Sequence, residues 1–174
     1  ADLEAGTRAG ISGTPSFLIN GQLLVGAQPL DNFVAAIDTV KNGGQLAGNE
    51  PSQPQQPAAA PTPAVFANDF AGAMGDPNAP VTIVEFTDYQ CPYCSQHSLQ
   101  TMPRIVSEFV DTGRVYYMLK DLPLDQLHPE ARAAAEAARC AGDQDAYWEM
   151  HDEVFANQSQ WAGLGEAAKD FFVS

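Results

Sequence analysis

Two of the three cysteines of this 174-residue chain stand in Cys91-Pro92-Tyr93-Cys94; the third is Cys140. A two-residue gap lets two sulfurs meet across the first turn of a helix. It also sets the first cysteine at the helix N-terminus, where exposed N–H groups and the macrodipole stabilise a thiolate. Such a pair performs disulfide exchange: one thiolate attacks and the second thiol releases the mixed disulfide. Cys91 is therefore expected to be the nucleophile, accessible and with a depressed pKa. Cys94 is expected to be the resolving cysteine and more buried. Pro92 pre-sets φ for the first turn, and Tyr93 either packs beside the sulfur or touches a client. Both should tune the thiols. The same spacing also suits half a metal knuckle or a structural disulfide. Three cysteines are too few for a four-cysteine zinc site or a disulfide-stapled mini-protein. His97 follows one turn after Cys94, but helical spacing makes joint ligation by Cys91, Cys94 and His97 awkward, so no metal is expected.

The redox reading needs a strand before the motif and a helix after it, and the sequence supplies both. Val81 to Phe86 is a dense β-branched and aromatic run, as in a buried parallel strand. Ser95 to Val110 reads as a helix with Leu99, Met102, Val106 and Phe109 on one side and a kink at Pro103. Thr112-Gly113 turns the chain into a strand from Arg114 to Leu119. Pro129 opens an Ala-rich helix that ends near Gly142. Asp143 is expected to cap a further helix burying Tyr147, Met150, Val154 and Phe155, and a last helical stretch starts near Leu164.

Ahead of the motif lies a separate α/β segment. Leu3 to Ala9 reads as a helix end stopped by Gly10. Ser16 to Asn20 and Gln22 to Val25 are short strands around Asn20-Gly21, a strong hairpin signal because both turn positions need φ > 0. Pro29 opens a helix with Leu30, Phe33, Val34, Ile37 and Val40 on one face. Between the two segments, Gly43 to about Asn78 carries no Lys or Arg, and Pro51, Pro54, Pro57, Pro61 and Pro63 exclude a continuous helix or central strand. It reads as a linker, whose Val65, Phe66 and Phe70 are placed to dock on a neighbouring surface. The resulting division is residues 1–42, a linker over 43–78, and residues 79–174.

Eight basic and 22 acidic residues give a formal net charge of −14. That balance disfavours nucleic acid and anionic membrane surfaces. No apolar run approaches a membrane span. Phosphate loops and Ser–His–Asp arrangements are missing from the sequence. Both ends fall inside apolar helical patterns, so the chain is expected to be cut within structure.

The stretch Val84-Glu85-Phe86-Thr87-Asp88-Tyr89-Gln90, followed by Cys91-Pro92-Tyr93-Cys94, resembles the active-site region of the DsbA-like family. Leu127-His128-Pro129-Glu130-Ala131, Ala137-Ala138-Arg139-Cys140-Ala141-Gly142 and Tyr147-Trp148-Glu149-Met150-His151-Asp152 resemble that family's helical insertion. Gly10-Ile11-Ser12-Gly13-Thr14-Pro15-Ser16-Phe17 resembles its cis-proline loop, and residues 1–42 its C-terminal part. The resemblance implies a thioredoxin-like α/β fold: a mixed sheet flanked by helices, with a helical insertion. It implies that Thr14-Pro15 is cis, faces the cysteines and binds substrate. It also implies that Glu85 is a buried acid near the redox pair, able to take a proton from Cys94. Lys120 is a weaker candidate partner for Glu85.

The family's two halves stand here in reversed order. Either the chain is a circular permutant, or it spans the border of two tandem domains. In both cases residues 1–42 complete the sheet by folding back onto residues 80–174, in the same chain or, as a domain swap, in a neighbouring copy. The expected activity is thiol–disulfide exchange with protein thiols and disulfides, without an organic cofactor and with a redox partner to recycle the dithiol. The alternatives are a reductase or isomerase on the same fold, or a non-catalytic peptide-binding module. The resemblance further implies an extracytoplasmic location and leaves room for a membrane anchor outside this chain. Cys140 is expected to be structural or a buried free thiol. His128 is expected to cap or pack, His151 to flank a helix, and Trp148 and Trp161 to pack.

Overall fold

The computed structural model describes residues 2–47 and 71–173. Most of the expected linker, with Val65, Phe66 and Phe70, lies outside the described residues. The chain begins with helix α1 (Asp2–Arg8). Strands β1 (Ser16–Ile19) and β2 (Gln22–Val25) follow, and then helix α2 (Leu30–Lys41). The hairpin forms at Asn20-Gly21, where φ is 47° and 82°. Positive φ at both central positions matches the twist of the flanking strands.

Beyond residue 70 come β3 (Gly72–Met74) and β4 (Val81–Thr87), a long helix α3 over residues 92–110, and β5 (Val115–Asp121). The helical layer is α4 (Ala131–Gly142), α5 (Tyr147–Ala156), the single turn α6 (Gln158–Trp161) and the short α7 (Ala168–Phe172). The five strands form one mixed sheet in the order β2-β1-β4-β5-β3. β4 and β5 are parallel, with Glu85 beside Leu119 and Phe86 beside Lys120. β1 pairs antiparallel with β4, setting Phe17 beside Glu85. Residues 2–47 thus complete the sheet within one chain.

Each face of the sheet has its own core. On one, Phe17, Ile19, Ile83 and Tyr117 pack against Phe33 and Ile37 of α2 and Ile105 and Phe109 of α3. On the other, Leu18, Val84, Phe86 and Met118 pack against Ala5 of α1 and Leu122. A third cluster joins the redox turn to the helical layer through Tyr89, Cys94, Phe155 and Trp161.

Three details depart from the sequence reading. β3 lies inside the segment assigned to the linker and pairs with β5. It carries Gly72, where a Cβ would fall 2.3 Å from the Tyr147 ring, so only glycine admits that ring. Leu99 is 48% exposed, while His97, Ser98, Met102 and Ile105 are buried. The cause is a π turn over His97–Thr101, just before Pro103. Its extra residue shifts the buried face by one position and accommodates the missing proline N–H. Finally, α5 is preceded by Ala146 with no side-chain cap, so Asp143 does not cap it. The turn into α5 instead runs through Asp145 at φ 61°.

Candidate redox site

Cys91 is the residue before the first turn of α3, in extended backbone, and Pro92 opens the helix. The sequence folds this way because the apolar β4 strand ends at Thr87, and the turn Asp88–Gln90 delivers Cys91 to the helix start. The Cys91 amide donates to the carbonyl of Asp88 at 3.1 Å. Cys91, Cys94 and Cys140 are all free thiols. Cys94 is fully buried, and its sulfur accepts a weak hydrogen bond from the Asp88 amide at 3.5 Å.

The thiols differ electrostatically. Cys91 is lowered from 9.0 to about 6. The leading cause is a hydrogen bond from the Cys94 side chain. Burial opposes it, while the Cys94 and Tyr93 amides assist. Cys94 is pushed well up, first by burial and then by Cys91. The two thiols are therefore shifted in opposite directions, with ionisation favoured at Cys91 and the proton favoured on Cys94.

The cis-proline loop from before β1 faces this pair. The Thr14–Pro15 peptide is cis, and the Cys91 thiol donates to the Thr14 carbonyl at 3.5 Å. Pro15 is buried. The Thr14 hydroxyl is buried with no hydrogen-bond partner. The sheet order accounts for the approach. β1 sits beside β4, so the loop entering β1 meets the turn leaving β4.

Glu85 lies beneath the site, 1% exposed. Its partner is Tyr117 on β5, whose hydroxyl donates to Glu85 Oε2 at 2.5 Å. Burial pushes the Tyr117 phenol well up and the Glu85 charge adds to the effect, with a smaller contribution from Cys94. Tyr117 is thus within electrostatic reach of both Glu85 and Cys94. Its oxygen also meets His97 Nε2 at 3.1 Å. Because the single phenol proton points at Glu85, the imidazole is the donor in that bond. Burial lowers the His97 pKa, and Phe17 and Phe33 pack on its ring. His97 is therefore a neutral core residue. Among the described residues no group of three or more His, Cys, Asp or Glu could hold a metal ion.

Several expectations are corrected. Cys91 is 5% exposed rather than openly accessible, because the Thr14 loop covers it. Of the two positions open to Tyr93, packed beside the sulfur or facing outward to a client, its 64% exposure fits the outward one. Lys120 does not face Glu85. It pairs in register with Phe86, on the opposite face of the sheet. Cys140 is exposed rather than buried, at a groove of about 480 Å³ lined also by Ala137, Met150 and Phe172. His128 neither caps nor merely packs: its Nδ1 meets Asp88 Oδ2 at 2.9 Å. His151 is buried, among Tyr89, Trp148 and Phe155.

Sequence reasoning missed Asp88, Tyr117 and Gln158. Gln158 donates to the carbonyls of Tyr89 and Cys91 at 2.8 and 3.1 Å. For Asp88 a signal existed: a carboxylate three residues before the first cysteine can accept the turn's amides, as in an Asx turn. For Tyr117 the strand alternation gives its face but not its partner.

A thioredoxin family profile matches residues 62–172. The chain is 45% identical over 86 residues to the Na(+)/H(+) antiporter NhaA 1 of Salinispora arenicola, covering 49% of this chain and 13% of that protein. It is 32% identical over 96 residues to the probable disulfide bond formation protein D of Bacillus cereus, covering 55% of this chain and 44% of that protein. Among solved structures, Wolbachia pipientis alpha-DsbA1 superposes with a TM-score of 0.51 at 25% identity, over 58% of this chain and 49% of that one. The chain spans less than half the length of each of these relatives. With the profile matched over most of its length and a DsbA neighbour in fold, this chain belongs to the thioredoxin family as a DsbA-like member.

Proposed function

We propose that this protein is a thiol–disulfide oxidoreductase that exchanges disulfides with protein thiols through Cys91 and Cys94. The observation that carries this reading is the Cys91 thiol, held at about 6 beside a buried Cys94 that keeps its proton. In exchange, the client's thiolate attacks Cys91 of the oxidised protein, and the S–S bond to Cys94 breaks. A second client thiolate then attacks the client sulfur of the mixed disulfide, and Cys91 leaves as a thiolate. The client is oxidised by two electrons and the protein becomes a dithiol. A stabilised leaving thiolate favours this direction, so the reading is oxidant rather than reductase or isomerase. A redox partner must then return the dithiol to the disulfide.

The loop at Thr14-Pro15 supports a substrate-binding role, since an extended client crossing Cys91 would meet it next. Glu85 is the buried acid in the role of accepting the Cys94 proton when the site is reoxidised, with Pro92 and Tyr93 tuning the thiols. Persistent protein disulfides require an oxidising compartment, which supports an extracytoplasmic location. No helix among the described residues is long and apolar enough to cross a membrane, so any anchor would lie elsewhere in the polypeptide. A swapped dimer would make the same β1–β4 pairing between two copies, and its mass would reveal it.

The test is exchange itself. The oxidised protein should oxidise a reduced, unfolded client, and Cys94→Ala should accumulate a mixed disulfide on Cys91. Absence of exchange in either direction, or full activity in Cys91→Ser, overturns the reading.

A further inference from the structure

Every residue of the turn that delivers Cys91 is bonded to the helical layer or to the loop leading into it. Gln90 and Glu130 bond reciprocally, side chain to side chain and Glu130 amide to Gln90 Oε1 at 2.9 Å. The Tyr89 and Tyr147 hydroxyls meet at 3.0 Å. Gln158 holds two of the turn's carbonyls. At the centre is Asp88, whose side chain is 0% exposed. Its Oδ1 accepts the Gln90 amide at 2.8 Å and the Cys91 amide at 3.2 Å. Its Oδ2 accepts the Leu124 amide at 2.8 Å and meets His128 Nδ1 at 2.9 Å.

This is an unusual place for a carboxylate. A buried charge is costly unless its oxygens are fully bonded, and a negative charge beside a working thiolate opposes ionisation. If charge were its only effect, Asp88 would work against Cys91. Its bonds do the opposite. They tie the nucleophile's own amide, and the start of the helix whose N–H groups steady the thiolate, to the loop at 122–130. His128, 20% exposed, is the one partner able to carry a compensating charge.

We infer that Asp88 is a positioning residue for the exchange reaction, and that His128, through Asp88 Oδ2, holds it in the orientation that sets Cys91 at the helix start. The inference rests on the redox reading of Cys91 but is tested without a client. Around Asp88 the titratable groups are Cys91 and Cys94 of α3 and its approach, and His128 and Glu130 of the loop before α4.

The experiment titrates the Cys91 thiolate by its ultraviolet absorbance in the reduced full chain and measures the equilibrium with glutathione. Asp88→Ala should raise the Cys91 titration by about one pH unit and make the protein about tenfold less oxidising, about 30 mV for a two-electron couple. Asp88→Asn keeps an acceptor oxygen for the Gln90 and Cys91 amides and should move it less than half as far. His128→Ala should shift it in the same direction, and His128→Gln, whose amide can still donate to Asp88, should restore it. A simple charge effect predicts a lower titration in both Asp88 variants. A purely structural role predicts lower melting temperatures with the titration and potential unmoved. Either result overturns the inference. If Asp88→Ala does not fold, the asparagine and histidine variants decide it. Loss of client exchange with these shifts intact would count against the function, not against the positioning role.

Discussion

Replacing Cys94 by alanine is expected to move the nucleophile's titration further than any other single change in the site. Cys91 is held near 6 rather than 9.0, with the hydrogen bond from the Cys94 side chain as the leading cause. At about 1.36 kcal/mol per pKa unit the whole shift corresponds to about 4 kcal/mol. That is an upper limit, because solvent screens a thiolate at a helix end. A hydrogen bond to a charged group contributes about 1.5–3 kcal/mol, so deleting it should raise the titration by about one to two pH units. Cys94→Ser, which retains an O–H donor, should raise it less. Thiolate absorbance against pH, or the pH dependence of alkylation, reads the shift directly. A Cys91 titration that stays near 6 in Cys94→Ala would refute the argument and assign the effect to the helix N-terminus alone. The same shift carries a stability signature. Cys91 is more acidic folded than unfolded, so it stabilises the reduced protein fully above the unfolded thiol's pKa. That contribution is lost as pH falls through about 6. Denaturation of reduced protein and of Cys91→Ala should therefore converge toward pH 6 and separate toward pH 9. Cys94, pushed upward by burial, keeps its proton in the folded state across this window, and its unfolded-state ionisation near pH 9 is common to both proteins.

Three further outcomes are expected. Tyr117→Phe strips Glu85 of its donor and His97 Nε2 of its acceptor. It should cost about 1–3 kcal/mol in chemical denaturation. Combining it with Glu85→Leu should cost less than the two single changes together, and strict additivity would count against a shared network. Gly72→Ala drives a methyl group into the Tyr147 ring. It should lower the denaturation midpoint by an amount equivalent to about 1–3 kcal/mol. A midpoint equal to wild type would show that the ring moves freely. A chain lacking residues 1–47 loses Phe17, Ile19, Phe33 and Ile37 from the core and leaves β4 with an unpaired edge. It should aggregate and recover when the missing segment is supplied as a separate peptide. A monodisperse, cooperatively folding truncation would refute that dependence.

The limits of the sequence follow from how far apart the interacting groups stand. Asn20-Gly21 reports its own geometry, because a two-residue turn with φ > 0 is a local demand, and the hairpin forms there. The run Val81 to Phe86 reports burial on both faces, and β4 is buried along its length. The phase of α3 was not legible. Apolar spacing put Leu99 inside, but a π turn adds one residue and turns Leu99 outward. No composition marks a π turn, although the proline that follows it is a place to expect one.

The deeper site residues were hidden for a different reason. Glu85 and Tyr117 are 32 positions apart, and Asp88 and His128 are 40 apart. Alternation along β5 fixes which face Tyr117 takes. It cannot fix which β4 residue lies opposite, because parallel register is set by the packing of both strands and not by a turn between them. Had β5 slipped by one residue relative to β4, Lys120 would stand in place of Leu119 beside Glu85 and would supply the ion pair that the sequence suggested. The observed register instead gives the buried acid a tyrosine hydroxyl, and sends Lys120 to the far face beside Phe86. The Tyr117 hydroxyl gives Glu85 a neutral donor in place of a fixed positive charge. That arrangement suits the proton-accepting role proposed for Glu85, which a permanent lysine partner would oppose. The motif Cys91-Pro92-Tyr93-Cys94 is thus written locally, while the partner of Glu85 is written in the register between β4 and β5.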